Sequence, residues 1–152
     1  MLNRKNKGKP VKEADDRLEC LQKLKGLILE LQLAYEKTTG AKINKDVLGI
    51  CKTTRKIYQS LIDDSSKISK QKLFIDYYLP ESIGILNRYA AIKANKFTGD
   101  QAITTAALIE EFIPKLKIAF DKILEDMTVQ SGAATEIDIK ILIDELYGKR
   151  LL

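Results

Sequence analysis

Eight apolar residues in the second half of the chain stand alternately four and three positions apart: Ala102, Ala106, Ile109, Ile113, Leu116, Phe120, Ile123 and Met127. A strand sends successive side chains to opposite faces, so only a helix gathers all eight on one side. The pattern predicts a helix over about 100–128 that packs along its whole length, as in coiled coils and bundles. Three more stretches carry helical stripes. Leu21, Leu24, Ile28, Leu31 and Tyr35 define a first helix from about Val11 to Thr39, broadened by Leu18, Leu27 and Leu33, with Gly40 as its stop. Ile43, Val47, Ile50, Thr54, Ile57 and Leu61 define a second over 42–63, ended by "DDSS" at 63–66. Ile68, Ile75, Leu79, Ile83, Leu86 and Ala90 define a third over 67–95, followed by the turn "KFTGD". Thr135 with Asp138 resembles a capping box and opens a short last helix that stops at Gly148. "IDIKILI" could pair as a strand, but a lone strand has no partner here.

The expected fold is all-α: an antiparallel bundle of four long helices plus a short C-terminal helix. Short connections make consecutive helices antiparallel. Residues 11–148 form one domain, and Arg4, Lys5, Lys7 and Lys9 lie in a basic tail over 1–10 that is expected to be disordered.

The chain has 152 residues, 45% apolar and 31% charged, which suffices for one buried core. It contains no histidine, and this excludes Ser-His-Asp catalysis, Cys-His pairs and His-ligated zinc. Cys20 and Cys51 lack CxxC spacing and read as buried thiols. No cofactor or metal is expected. No apolar run approaches the ~20 residues that span a bilayer. The basic start lacks the apolar block of a secretory signal, and Leu2 in place of Gly excludes myristoylation. The expected location is cytoplasmic, with peripheral membrane contact as the alternative. A net charge of +5 comes from dispersed lysines rather than from arginine forks. Nucleic acid is therefore not the expected partner. A basic surface for nucleic acid or anionic lipid, formed by "CKTTRKIYQ" with Lys67, Lys70 and Lys72, remains the alternative.

The third predicted helix has a proline in its middle. Pro80 cannot donate to the carbonyl four residues back, which inside a helix costs ~3 kcal/mol and bends it. Pro114 stands in the fourth helix, and the two prolines are equally far from Phe97 in the turn. The pairing predicts a kinked hairpin of helices 3 and 4, with both prolines at one level. The same register carries Lys115 and Lys117 toward Asp76 and Tyr77. Asp76, Tyr77, Tyr78, Pro80, Pro114, Lys115 and Lys117 thus form the candidate surface, with one of the adjacent tyrosines facing the core and the other the rim.

"FIDYYLPESIGILNRYAAI", "IEEFIPKLKIAFDKIL" and "TEIDIKILIDEL" resemble the 5-bromo-4-chloroindolyl phosphate hydrolysis (XpaC) family. The resemblance rests on Tyr77, Tyr78, Leu79, Pro80, Tyr89, Pro114, Ala119, Phe120, Asp138, Ile139 and Leu142, and covers about Gly40 to Tyr147. It implies a bacterial protein linked to cleavage of a chromogenic phosphate ester and to toxic-anion (tellurite) resistance. Relatives often carry a longer N-terminal region, sometimes with membrane segments. The resemblance carries over no catalytic residues.

The residues themselves do not spell a phosphatase. Cys51 and Arg55 are too close for a cysteine phosphatase loop, "EIDIK" has Glu where an aspartyl nucleophile belongs, and no Gly-rich phosphate loop occurs. Asp63-Asp64, Glu110-Glu111 and Glu125-Asp126 could contribute to Mg²⁺ binding, but adjacent acids on a helix diverge. The reading that follows is a non-enzymatic helical interaction module with a protein partner not named by any motif, and with homo-oligomerisation through the wide apolar face of the first helix open to it. The alternative is a phosphohydrolase, or an accessory of one.

Overall fold

The structure is a computed structural model; it describes residues 3–129 and 134–148, with side chains described for 14–128 and 139–148. All its regular elements are helical. α1 spans Asn3–Lys37, α2 Asn44–Asp63, α3 Leu79–Lys93, α4 Asp100–Val129 and α5 Ala134–Gly148. A 3₁₀ helix, Ser65–Gln71, and a π-helical turn, Phe74–Tyr78, lead into α3.

Contacts between the helices fix their order around the core. Cys51 and Arg55 of α2 reach Leu31 and Gln32 of α1, and the short turn between Lys37 and Asn44 makes these two antiparallel. Thr53 meets Asp121, and Lys67 just beyond α2 meets the carbonyl of Met127. Residue numbers rise together there, so α2 and α4 lie side by side and parallel. α3 packs on both α1 and α4, which closes the ring in the order α1, α2, α4, α3. α5 lies outside this ring, against α4 and the π turn.

All eight stripe residues of α4 are buried, and so are the six of α2, because both helices are walled on more than one side. In α1, Leu24, Leu27 and Leu31 are buried while Leu18 and Leu33 stand in solvent, so the stripe is narrower than the sequence suggests. α1 begins at Asn3, so the backbone of the basic segment is helical there. Lys and Arg lose little rotamer freedom in a helix, so a basic run does not stop one. The expected loop over 129–134 and the capping box at Thr135 and Asp138 fall outside the described residues or side chains. Gly40 adopts φ 81°, the left-handed geometry that lets the chain turn out of α1. α3 ends on Asn95 at φ 62°. Lys96 N–H bonds the carbonyl of Ala91 and Asn95 N–H that of Ile92, which is a Schellman ending with asparagine in the usual glycine place.

The third helix departs most from expectation. It is not one proline-kinked α-helix but a 3₁₀ helix, a π turn and α3 in succession. Leu79 N–H closes on the carbonyl of Phe74, five residues back. The wide turn delivers Pro80 into the first turn of α3, where an N–H has no required partner. Pro114 is different, since α4 continues as α-helix on both sides of it. The matched pair of bends is therefore replaced by one break and one interior proline. Phe74 and Phe120, each 23 positions from Phe97, meet edge to face at 5.1 Å, so the hairpin register holds as far as this level.

Candidate functional site

The π turn sorts its side chains sharply. Phe74, Ile75 and Tyr78 are buried, while Tyr77 is 42% exposed and Leu73, just before it, 48% exposed. Tyr77 and Tyr78 form an edge-to-face pair at 5.3 Å, one facing the rim and the other the core, as expected. A π turn adds one residue to a helical turn, so apolar residues that a regular helix would keep inward are displaced to the surface. Asp76 is exposed and pairs with Lys23 of α1 at 3.0 Å. Across the turn, Tyr147 of α5 donates its hydroxyl to Glu81 Oε2 in the first turn of α3. Burial first, then the carboxylate of Glu81 and the nearby Tyr77, push the Tyr147 phenol well above its ordinary value, so it stays protonated. α1, α3 and α5 thus converge on one patch: Leu73, Asp76, Tyr77, Glu81, Lys23 and Tyr147.

The cluster expected from the hairpin register does not form. Lys117 pairs with Asp121 one turn further along α4 at 2.7 Å and lies across Gly49 of α2. A Cβ on Gly49 would stand 2.8 Å from Lys117 Cε. Lys115 lies beside Leu142, Glu145 and Leu146 of α5. Residues two apart on a helix diverge by about 200°, so one helix cannot aim both lysines at the same partner. Asp76 takes its cation from α1 instead. Pro114 is exposed and Pro80 half-buried.

Three polar ties escaped the sequence reading. Tyr89, its ring fully buried, donates to Glu110 Oε2 at 2.6 Å, and burial together with that carboxylate raises its phenol far above the ordinary value. Thr53 donates to Asp121 Oδ1 at 2.6 Å. Burial alone would raise the Asp121 carboxyl, but the bonds from Lys117 and Thr53 outweigh it and hold it low. Tyr147 with Glu81 is the third tie. The only signal in the sequence was Gly49 inside a helical stripe, where close approach of a neighbour explains a missing side chain.

The other candidates are placed as follows. Cys51 is buried, and burial pushes its thiol up to about 11, against a smaller opposing effect of Arg55. Arg55 bonds Gln32 and Lys67 caps a carbonyl of α4, so two cations of the expected basic strip are engaged by neighbouring helices. Glu110 is held by Tyr89, and Asp64 caps the 3₁₀ helix through Ser66. Among the described residues no group of three or more Cys, Asp or Glu side chains is close enough to hold a metal ion. An open cavity of about 390 Å³ lies at the α3–α4 turn between Ile92, Phe97, Gly99, Ala102, Ala106 and Glu110, away from the π turn.

These features define a compact helical bundle tied by tyrosine–carboxylate bonds, with a π-helical turn opening onto a mixed aromatic and charged patch. The chain belongs to the 5-bromo-4-chloroindolyl phosphate hydrolysis protein family, whose model matches residues 12–141. The match starts in α1, well before the Gly40 expected from the resemblance. No curated protein and no solved structure matches the chain. No described helix is long and apolar enough to cross a membrane.

Proposed function

We propose that the protein is a helical interaction module that docks a protein partner at the π turn. The observation that carries this reading is the outward display of Leu73 and Tyr77 beside the Lys23–Asp76 pair, on a helical form that is rare and concentrated at functional sites. Aromatic residues with a charged rim are the composition of protein-binding patches. Of the tyrosines that carry the family resemblance, Tyr78 and Tyr89 are buried, Tyr89 bonded to Glu110, and Tyr77 is the one displayed. On this reading the link to phosphate ester hydrolysis, and to toxic-anion resistance by family resemblance, runs through a partner.

A photo-crosslinking amino acid placed at Tyr77 in cells is expected to capture one discrete protein, while the same residue at Ile103, exposed at the other end of the bundle, captures none. The competing reading is direct hydrolysis, which the family description favours. Purified protein assayed on the chromogenic ester, with and without Mg²⁺, is expected to give no turnover that follows the protein peak. Turnover that does follow it, and is lost in Tyr77→Phe or Asp76→Asn, would replace the docking reading with a catalytic one.

A further inference from the structure

α1 has two apolar stripes on opposite sides. Cys20, Leu24, Leu27, Leu31 and Ala34 point into the bundle and are buried. Leu18, Leu29 and Leu33 point away and are 54%, 63% and 57% exposed. Eleven residues of helix return to within about 20° of the starting direction and fifteen to within about 60°, so these three leucines share one face. Exposed Asp15, Gln22, Lys25 and Glu36 complete it.

We propose that this face pairs with the same face of a second copy, α1 against α1, antiparallel. A register in which facing residue numbers total 47 sets Leu18 opposite Leu29 and Ala14 opposite Leu33, each pair occurring twice about a two-fold axis. Apolar then meets apolar, with the largest side chains facing each other or a small one. The same register sets Lys25 opposite Gln22 and Asp15 opposite Gln32, so no charge stands directly opposite its like, and only the two Lys25 come near each other, diagonally across the axis. A parallel pair would stack Asp15 on Asp15, Lys25 on Lys25 and Glu36 on Glu36, and like charges so placed repel. Charge therefore favours the antiparallel arrangement over the parallel one, and the apolar positions of the face match their own copies in this register. The surface is separate from the Leu73–Tyr77 patch, so either inference can stand without the other.

Sedimentation and light scattering of the intact chain test it. The wild-type protein is expected at twice its 17.2 kDa mass. Leu29→Glu is expected to run as a monomer with unchanged helical circular dichroism, and Ile103→Glu, a charge on an equally exposed residue of α4, to remain a dimer. Gln22→Lys sets lysine against Lys25 and should raise the dissociation constant at least tenfold. Adding Lys25→Glu to it should restore the dimer. A wild-type protein that stays monomeric as concentration rises, or a Leu29→Glu dimer, overturns the interface. Failure of the charge swap to rescue overturns the register. Monomers that sediment with anionic vesicles through this face would assign it to lipid and overturn the proposal as well.

Discussion

Tyr89 illustrates how a single residue can be bound to one acceptor. Its ring lies in the core and its hydroxyl has Glu110 beside it. Tyr89→Phe removes donor and desolvation cost together, so the loss should be that of one hydrogen bond, about 0.5–1.5 kcal/mol. Glu110→Leu leaves the hydroxyl behind without its acceptor and should cost more, about 1–3 kcal/mol. Urea denaturation should show the double variant less destabilised than the two singles added together, because the orphaned hydroxyl is gone. Strict additivity would mean that the bond contributes nothing. The pairing could not be read from the sequence, since Tyr89 and Glu110 are on different helices and are not equidistant from the turn.

Among the elements, the two prolines now predict opposite outcomes. Pro80 stands in the first turn of α3, where its ring fits and no N–H is missed. Pro80→Ala should be neutral or destabilising by up to about 1 kcal/mol, because the freed unfolded chain gains conformations. Pro114 is interior to α4 and exposed, so Pro114→Ala should stabilise, by up to about 3 kcal/mol. Equal stabilisation by both substitutions would restore the paired kink. The four-three spacing in α4 and the stripe of α2 were legible because periodicity reports burial directly. The break before Pro80 was not, since Ile68, Ile75 and Leu79 fit an α-helical stripe and a π turn has no periodicity of its own over five residues. Asp76 and Tyr77 lie exposed at that break. Lys115 and Lys117 are not beside them, because placing a side chain requires the angle around the helix as well as the level along it.

For the whole molecule, the pH response follows from which groups are perturbed. Cys51, Tyr89 and Tyr147 are all raised, chiefly by burial. A raised group supports the fold below its unfolded pKa and loses that support as pH climbs toward the folded value. Stability should therefore decline above about pH 9, where a free thiol titrates. Asp121 and Asp64 are lowered, the latter by the hydroxyl and amide of Ser66, so their support is present above 3.8 and lost as pH falls below it. With no histidine to titrate, thermal midpoints should be flat from about pH 5 to 8, and Tyr89→Phe should reduce the alkaline decline. A midpoint that changes steeply near pH 6.5 would contradict this.

The parallel placement of α2 and α4 also bears on the route by which the chain folds. α1–α2 and α3–α4 are each closed by a short turn, but the contacts between the two halves are distant in sequence, and the bond from Thr53 to Asp121 spans 68 residues. Closing a long loop costs entropy before its contacts return any, so the local hairpins form early and the α2–α4 seam closes late. Gly49, Thr53, Lys117 and Asp121 lie on that seam. They act less on how fast the protein folds than on how long it stays folded, as the clasp that delays the parting of two preformed halves.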